Sequence, residues 1–285
     1  IAALSIVGSA VAQVTISGGV SAGYRSNAGT TQVGRTDGYV EIKSVENLGG
    51  GLTLTANGGL ELPGRDAATD GRNFGLTLAS ATGGTVAYSS TLANSLSRLS
   101  MGGTVSLAAD LDDLYETAKE STGLKYTSPK LGNFTLDYGV SNASGTGLAP
   151  TGTLTDSGTA GVTYAAGPMT ARVTYRNSDK RSQGDFTYDA KVAVIEAHVT
   201  SAYGAAAAVT DNTFSEIGIA IPMGAATIGA GYSSRGTTKG VAMGVSYALS
   251  KQTSIIGSYA NLENKQSTTA NADGTQTQIK LLHKF

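Results

Sequence analysis

Apolar side chains along this chain recur at every second residue. In the first such run Val14, Ile16, Val20, Ala22 and Tyr24 lie on one side, and Thr15, Ser17, Gly19, Ser21 and Gly23 on the other. The segment around Val40 and Ile42 interleaves with Tyr39, Glu41 and Lys43. Phe134, Leu136, Tyr138 and Val140 alternate with Thr135, Asp137 and Gly139. Met169, Ala171, Val173 and Tyr175 alternate with Thr170, Arg172, Thr174 and Arg176. Val241, Met243, Val245, Tyr247 and Leu249 alternate with Ala242, Gly244, Ser246 and Ala248. Helical spacing at i, i+3 and i+4 fits none of these runs, so the pattern predicts strands with one apolar and one polar face.

The interruptions alternate as well. Short ones fall at Asn47–Gly51, Ala81–Gly84, Lys130–Asn133, Ala165–Pro168, Met223–Gly224 and Ser250–Thr253. Longer polar ones fall at Arg25–Thr36, Leu62–Asp70, Thr91–Glu120, Ser141–Leu154, Ser178–Asp185 and Glu263–Ala272. Short turns at one end and longer loops at the other are the hairpin signature of outer-membrane barrels. The chain accommodates about 16 strands of about 9–11 residues, with Lys191–Asn212 the least patterned stretch. An open sheet of that size would leave two edges of unpaired N–H and C=O groups. In lipid those groups find no partner, so the sheet must close. The expected fold is all-β, an antiparallel transmembrane β-barrel of about 16 strands, with helix only in or near Thr91–Glu120. A soluble sandwich would need large inward side chains from two facing layers. A face this rich in Gly, Ser and Thr cannot fill such a core, but it can line water.

Composition sharpens this picture. The chain has 39 Gly, no Cys and no Trp, only 14% charged residues and a formal net charge of −1. The mean hydropathy of −0.03 is what strands with one greasy and one wet face average to. No basic stripe suggests nucleic acid. The absence of Cys removes disulfides and thiolate metal sites and suits an oxidising compartment. With two His in the chain, a histidine metal site is not expected, nor is any cofactor. Acid spacing in Thr91–Glu120 does not match a calcium-binding EF-hand loop. Ile1–Ala12, an apolar run ending Ala10-Val11-Ala12, resembles the apolar region and small-residue cleavage site of a secretory signal. It reads as a signal remnant, with residues 13–285 forming a single barrel domain. No stretch is long and apolar enough to cross a membrane as a helix.

Several segments resemble the general-diffusion porins of Gram-negative bacteria, the β-proteobacterial type in particular. Tyr39–Leu54 (YVEIKSVENLGGGLTL) resembles that family's second strand, turn and third strand. Arg72–Val86 resembles the fourth strand and the opening of the fifth, and Gly123–Val140 (GLKYTSPKLGNFTLDYGV) is the most specific match. Ser246–Tyr259 resembles a late hairpin, and His283-Lys284-Phe285 the family's C-terminus. Tyr39 departs from the Arg usual there, and the late loops are short. The resemblance implies a homotrimer of 16-stranded barrels in the outer membrane. Each barrel would have its third external loop folded into the lumen as a constriction. That loop would be Thr91–Glu120, with Asp110, Asp112, Asp113, Glu116 and Glu120 as an acidic cluster and Arg98 in the same loop. It also implies contact with lipid and lipopolysaccharide, and a terminal Phe285 that the barrel-assembly machinery reads as its assembly signal.

A porin performs no covalent chemistry; a water-filled constriction decides which ions and small hydrophilic solutes pass. Strand parity assigns Glu41, Lys43, Lys125, Asp137, Arg172, Arg176 and Lys280 to the pore wall, where basic residues would face the acidic loop. A substrate-specific channel and a structural or adhesive barrel remain alternatives, though neither an aromatic track nor a one-signed charge ladder is visible. A barrel hydrolase would need its histidine on the outer wall beside Ser and Asp or Asn. His198 and His283 are the two histidines available, and no enzymatic activity is expected.

Overall fold

The computed structural model describes residues 12–27, 30–62, 71–89, 123–141, 157–177, 180–201, 213–235, 238–263 and 274–285. These form sixteen strands and, among the described residues, no helix. The first eight are β1 (Gln13–Asn27), β2 (Thr30–Gly49), β3 (Leu52–Glu61), β4 (Gly71–Ser80), β5 (Gly84–Ser89), β6 (Gly123–Thr127), β7 (Phe134–Ser141) and β8 (Ser157–Ala166). The others are β9 (Met169–Arg176), β10 (Arg181–Asp189), β11 (Val194–Thr200), β12 (Phe214–Met223), β13 (Ala226–Arg235), β14 (Thr238–Ala248), β15 (Thr253–Glu263) and β16 (Gly274–Lys284). Each pairs antiparallel with its sequence neighbours, and β1 pairs with β16, so the sheet is a closed barrel. The regions expected to hold the signal remnant (Ile1–Ala12, apart from its last residue) and the constriction loop (Thr91–Glu120) lie outside the described residues.

Parity carries from strand to strand around the ring, broken only by β-bulges in β2 and β4 among the described residues. Directly paired residues share a face, so Ile16 opposite Ile42, Tyr126 opposite Tyr138 and Val162 opposite Val173 define one apolar surface. That surface is the outer one. On β9, Val173 is 61% exposed while its neighbour Thr174 is 1% exposed, because convex-side groups stand clear and concave-side groups crowd. Aromatic rings mark both ends of the outer belt. Phe134 and Tyr164 sit 5.0 Å apart near the short-turn end, and Phe74 and Tyr88 sit 6.3 Å apart toward the other. Such girdles belong where a membrane's apolar core meets its headgroups.

At one end, where β2 meets β3 and β8 meets β9, every connection is short, while the other end mixes short and long ones. The hairpins Gly167-Pro168 and Gly224-Ala225 each open on a glycine at positive φ, 55° and 63°, the conformation a two-residue β-turn demands. Two segments expected as loops are partly strand. β1 and β2 reach into Arg25–Thr36, and β10 begins at Arg181 within Ser178–Asp185. In the first, outward Ser26 and Thr31 are polar and the outward Val33 is out of step with Val40 across the register shift in β2; in the second, outward Ser182 and Gly184 give no apolar beat. The stretch 191–212, the least patterned, contains β11 and its turn from β10.

The seam between the chain's two ends is closed by main-chain bonds. Gly18 N–H donates to Phe285 C=O at 2.9 Å, and Phe285 N–H to Gly18 C=O at 3.0 Å. The Phe285 ring lies over Gly18: a Cβ there would stand 2.5 Å from the ring and 2.6 Å from the Tyr39 carbonyl oxygen. Gly18 is thus the seat that lets the terminal aromatic cover the seam. Gly18→Leu should destabilise the barrel by about 1–3 kcal/mol, the usual cost of overpacking. A lowered temperature for loss of the compact, heat-modifiable band in detergent electrophoresis would show it, and an unchanged temperature would refute the seat.

Candidate pore wall

The inner face carries every wall residue expected from parity. Register places Glu41 and Lys43 of β2 opposite Ser17 and Thr15, and Lys280 of β16 opposite Gly23. Lys125 of β6 lies opposite Ala87 and Gly139, Asp137 of β7 opposite Thr127 and Gly161, and Arg172 and Arg176 of β9 opposite Thr163 and Thr159. These charges fall into two arcs. One runs over β16, β1, β2 and β3; the other runs over β6 to β12. Between them, β4–β5 and β13–β15 present mainly small residues inward, such as Thr77, Ala87, Gly231, Ala242, Gly244 and Ala260.

Three of the expected residues form one group. Arg172 Nη2 donates to Asp137 Oδ1 at 2.8 Å and lies 2.8 Å from Oδ2, while Nη1 donates to Thr163 Oγ1 at 2.9 Å. Lys125 Nζ stands 3.4 Å from Asp137 Oδ1. The group spans β6, β7 and β9, skipping β8. Adjacent strands are about 4.8 Å apart, so Arg172 must cross β8 to reach Asp137, and it crosses at Gly161. A Cβ on Gly161 would lie 2.6 Å from Asp137 Oδ2 and 2.7 Å from Arg172 Nη2. Arg176, Glu41, Lys43 and Lys280 are outside this group, and the loop residues Arg98, Asp110, Asp112, Asp113, Glu116 and Glu120 are outside the described residues.

Parity reasoning missed a second set. Arg181, Gln183 and Asp185 on β10, and Glu196, His198 and Thr200 on β11, recur at every second position and all point inward, each buried. Gln183 faces Thr200 and Asp185 faces His198, so four side chains tile two strands. A carboxylate only accepts, so His198 Nδ1–H donates to Asp185 Oδ1 at 2.6 Å. His198 Nε2 then pairs with Thr200 Oγ1 at 2.8 Å, and Gln183 Nε2 donates to both Asp185 oxygens at 3.0 Å. Phe214 of β12 packs its ring 5.5 Å from the imidazole. The order Thr–His–Asp resembles a nucleophile–base–acid chain. Here the His198 and Asp185 side chains are 2% and 1% exposed and Thr200 is 3% exposed, so the chain braces the wall. His283, by contrast, is on the outer face beside Thr253, Nδ1 to Oγ1 2.9 Å. The signal for the missed set was present as polar residues two apart: on β10 Ser182 and Gly184 offered no apolar partner beat, whereas on β11 the outward Ile195, Ala197 and Val199 did.

A closed barrel with an apolar belt outside and a polar, charged wall inside is a transmembrane β-barrel of the channel-forming kind. The chain belongs to the Gram-negative porins, whose sequence model matches residues 1–267. Its structure is similar to the anion-selective porin from Comamonas acidovorans, with a TM-score of 0.70 at 17% identity, covering 96% of this chain and 100% of that one. It is also similar to a triple mutant of the Rhodopseudomonas blastica porin, with a TM-score of 0.69 at 12% identity and the same coverage. No curated protein matches the sequence significantly. The protein is an outer-membrane diffusion channel, in a family whose members are non-enzymatic, form trimers and pass small solutes.

The Asp185 brace yields a direct prediction. Asp185→Ala leaves the buried Gln183 amide and His198 Nδ1 without their shared acceptor, which should cost about 1–3 kcal/mol. Urea unfolding in lipid vesicles, followed by tyrosine fluorescence, should show a lower midpoint; an unchanged midpoint would remove the brace from the account.

Proposed function

We propose that this chain works as a homotrimeric general-diffusion porin with weak ion preference, in which Thr91–Glu120 folds inward and narrows each lumen. The observation that best supports a general channel is the mixed sign of the wall. Both cations and anions line each charged arc, and the inward aromatics among the described residues, Tyr39 and Phe214, sit on β2 and β12, far apart around the ring. Neither arrangement suits a sugar track or a phosphate ladder, so ions and small hydrophilic solutes are the cargo, with no catalysis. The loop's acids, Asp110, Asp112, Asp113, Glu116 and Glu120, would then lean toward the wall cations, with Arg98 as a partner inside the loop.

Ile1–Ala12 is removed on export in this reading, and the mature chain opens with β1 at Gln13. The outer belt rests against lipid and lipopolysaccharide, and Phe285 serves the barrel-assembly machinery before it settles over Gly18.

Reversal potentials in a salt gradient across a planar bilayer test the constriction. Neutralising Asp110, Asp112 and Asp113 together should shift selectivity toward anions. Changing Arg172 and Arg176 to Ala should shift it toward cations, both effects shrinking as salt shortens the Debye length from about 10 Å at 0.1 M to about 3 Å at 1 M. Unchanged potentials in both variants at low salt would overturn the constriction. N-terminal sequencing of protein from outer membranes should begin at Gln13; finding Ile1 would overturn the signal reading.

A further inference from the structure

Arg172 has two carboxylates within its reach along the wall, and its choice between them has a consequence for ion passage. Directly opposite it in the β9–β10 register is Asp185. That carboxylate is already engaged by His198 and by the Gln183 amide. Arg172 turns the other way, across β8, and both Asp137 oxygens receive it at 2.8 Å. The path exists because Gly161 offers no side chain in between. Lys125 approaches the same carboxylate from β6. Two cations from strands on either side therefore converge on one anion. The Asp137 side chain is only 4% exposed, whereas Lys125 is 29% and Arg172 12% exposed. The anion lies beneath and the cations lie above it, nearer the lumen.

We propose that Asp137 is a selectivity-setting residue of this channel: it gathers Lys125 and Arg172 against the wall and cancels one of their two charges. This rests on the channel reading given above. A permeating ion passing the group meets one net positive charge instead of two, held by a carboxylate it cannot itself reach. Asp185, the carboxylate directly opposite Arg172, serves the His198 brace instead, and Glu41 lies on the opposite arc.

Removing the carboxylate charge should add one unit of positive potential to the lumen at this level. At about 8 Å in water, partly screened, one unit charge favours an anion and disfavours a cation enough to change their permeability ratio about two- to five-fold. Asp137→Asn should accordingly raise the anion-to-cation permeability ratio by that factor, read from reversal potentials in a low-salt gradient, and the change should vanish near 1 M salt. Lys125→Gln, which removes a cation and leaves the Arg172 pair in place, should shift the ratio the other way. The double variant Asp137→Asn with Arg172→Gln restores the net charge and should return the ratio to that of the unaltered protein. A structural role for Asp137 alone would not be rescued by removing its partner.

An unshifted ratio in Asp137→Asn, or a shift that persists in the double variant, would overturn the proposal. If Asp137→Asn does not assemble, Lys125→Gln and the double variant still decide it, because each carries its own predicted sign. Absence of conductance from the unaltered protein would instead overturn the channel reading itself.

Discussion

In a bilayer core, every main-chain N–H and C=O must find its partner within the protein. That requirement closes the sheet, and closure propagates into everything else. It joins β1 to β16, brings Phe285 onto Gly18, and commits each of sixteen strands to one inward and one outward set of side chains. A slip of one residue in any register would turn that strand's apolar set into the water and its charges into the lipid, where a midplane Lys or Arg costs about 2–4 kcal/mol. The apolar belt thus fixes the register, and the register in turn decides which charges meet inside.

The inner wall solves a second problem. Charges that line water are useful, but side chains in a crowded concave surface need fixed partners. Here the partners come from neighbouring strands. Asp185, His198, Thr200 and Gln183 satisfy one another across a single pair of strands. Asp137 satisfies two cations across three strands because Gly161 leaves a gap. In these two parts the wall is built of small groups whose partners come from neighbouring strands.

Much of this was legible in the residues. β1, β7, β9 and β14 announce themselves by strict alternation, and the inward assignment of Lys125, Asp137 and Arg172 follows from counting by twos. What a single strand's sequence does not carry is its register against the next. That Asp137 faces Gly161, and that Gly161 opens the way to Arg172, depends on the turns joining β7, β8 and β9. Gly161 looks like any other lumenal glycine until the strands are paired. The Arg181–Asp185 stretch was hidden for a different reason: its outward Ser182 and Gly184 are too small to mark a lipid face, so a polar strand read as a loop.

The central claim is that one face of each strand meets water and the other meets lipid. The natural absence of cysteine allows a clean test on adjacent residues of β7. Thr135→Cys places a thiol on the inner face, and Leu136→Cys places one on the outer face. A charged, membrane-impermeant methanethiosulfonate added to channels in a planar bilayer should modify the first and step down its conductance, while leaving the second unmodified. Modification of Leu136→Cys, with Thr135→Cys untouched, would contradict the account.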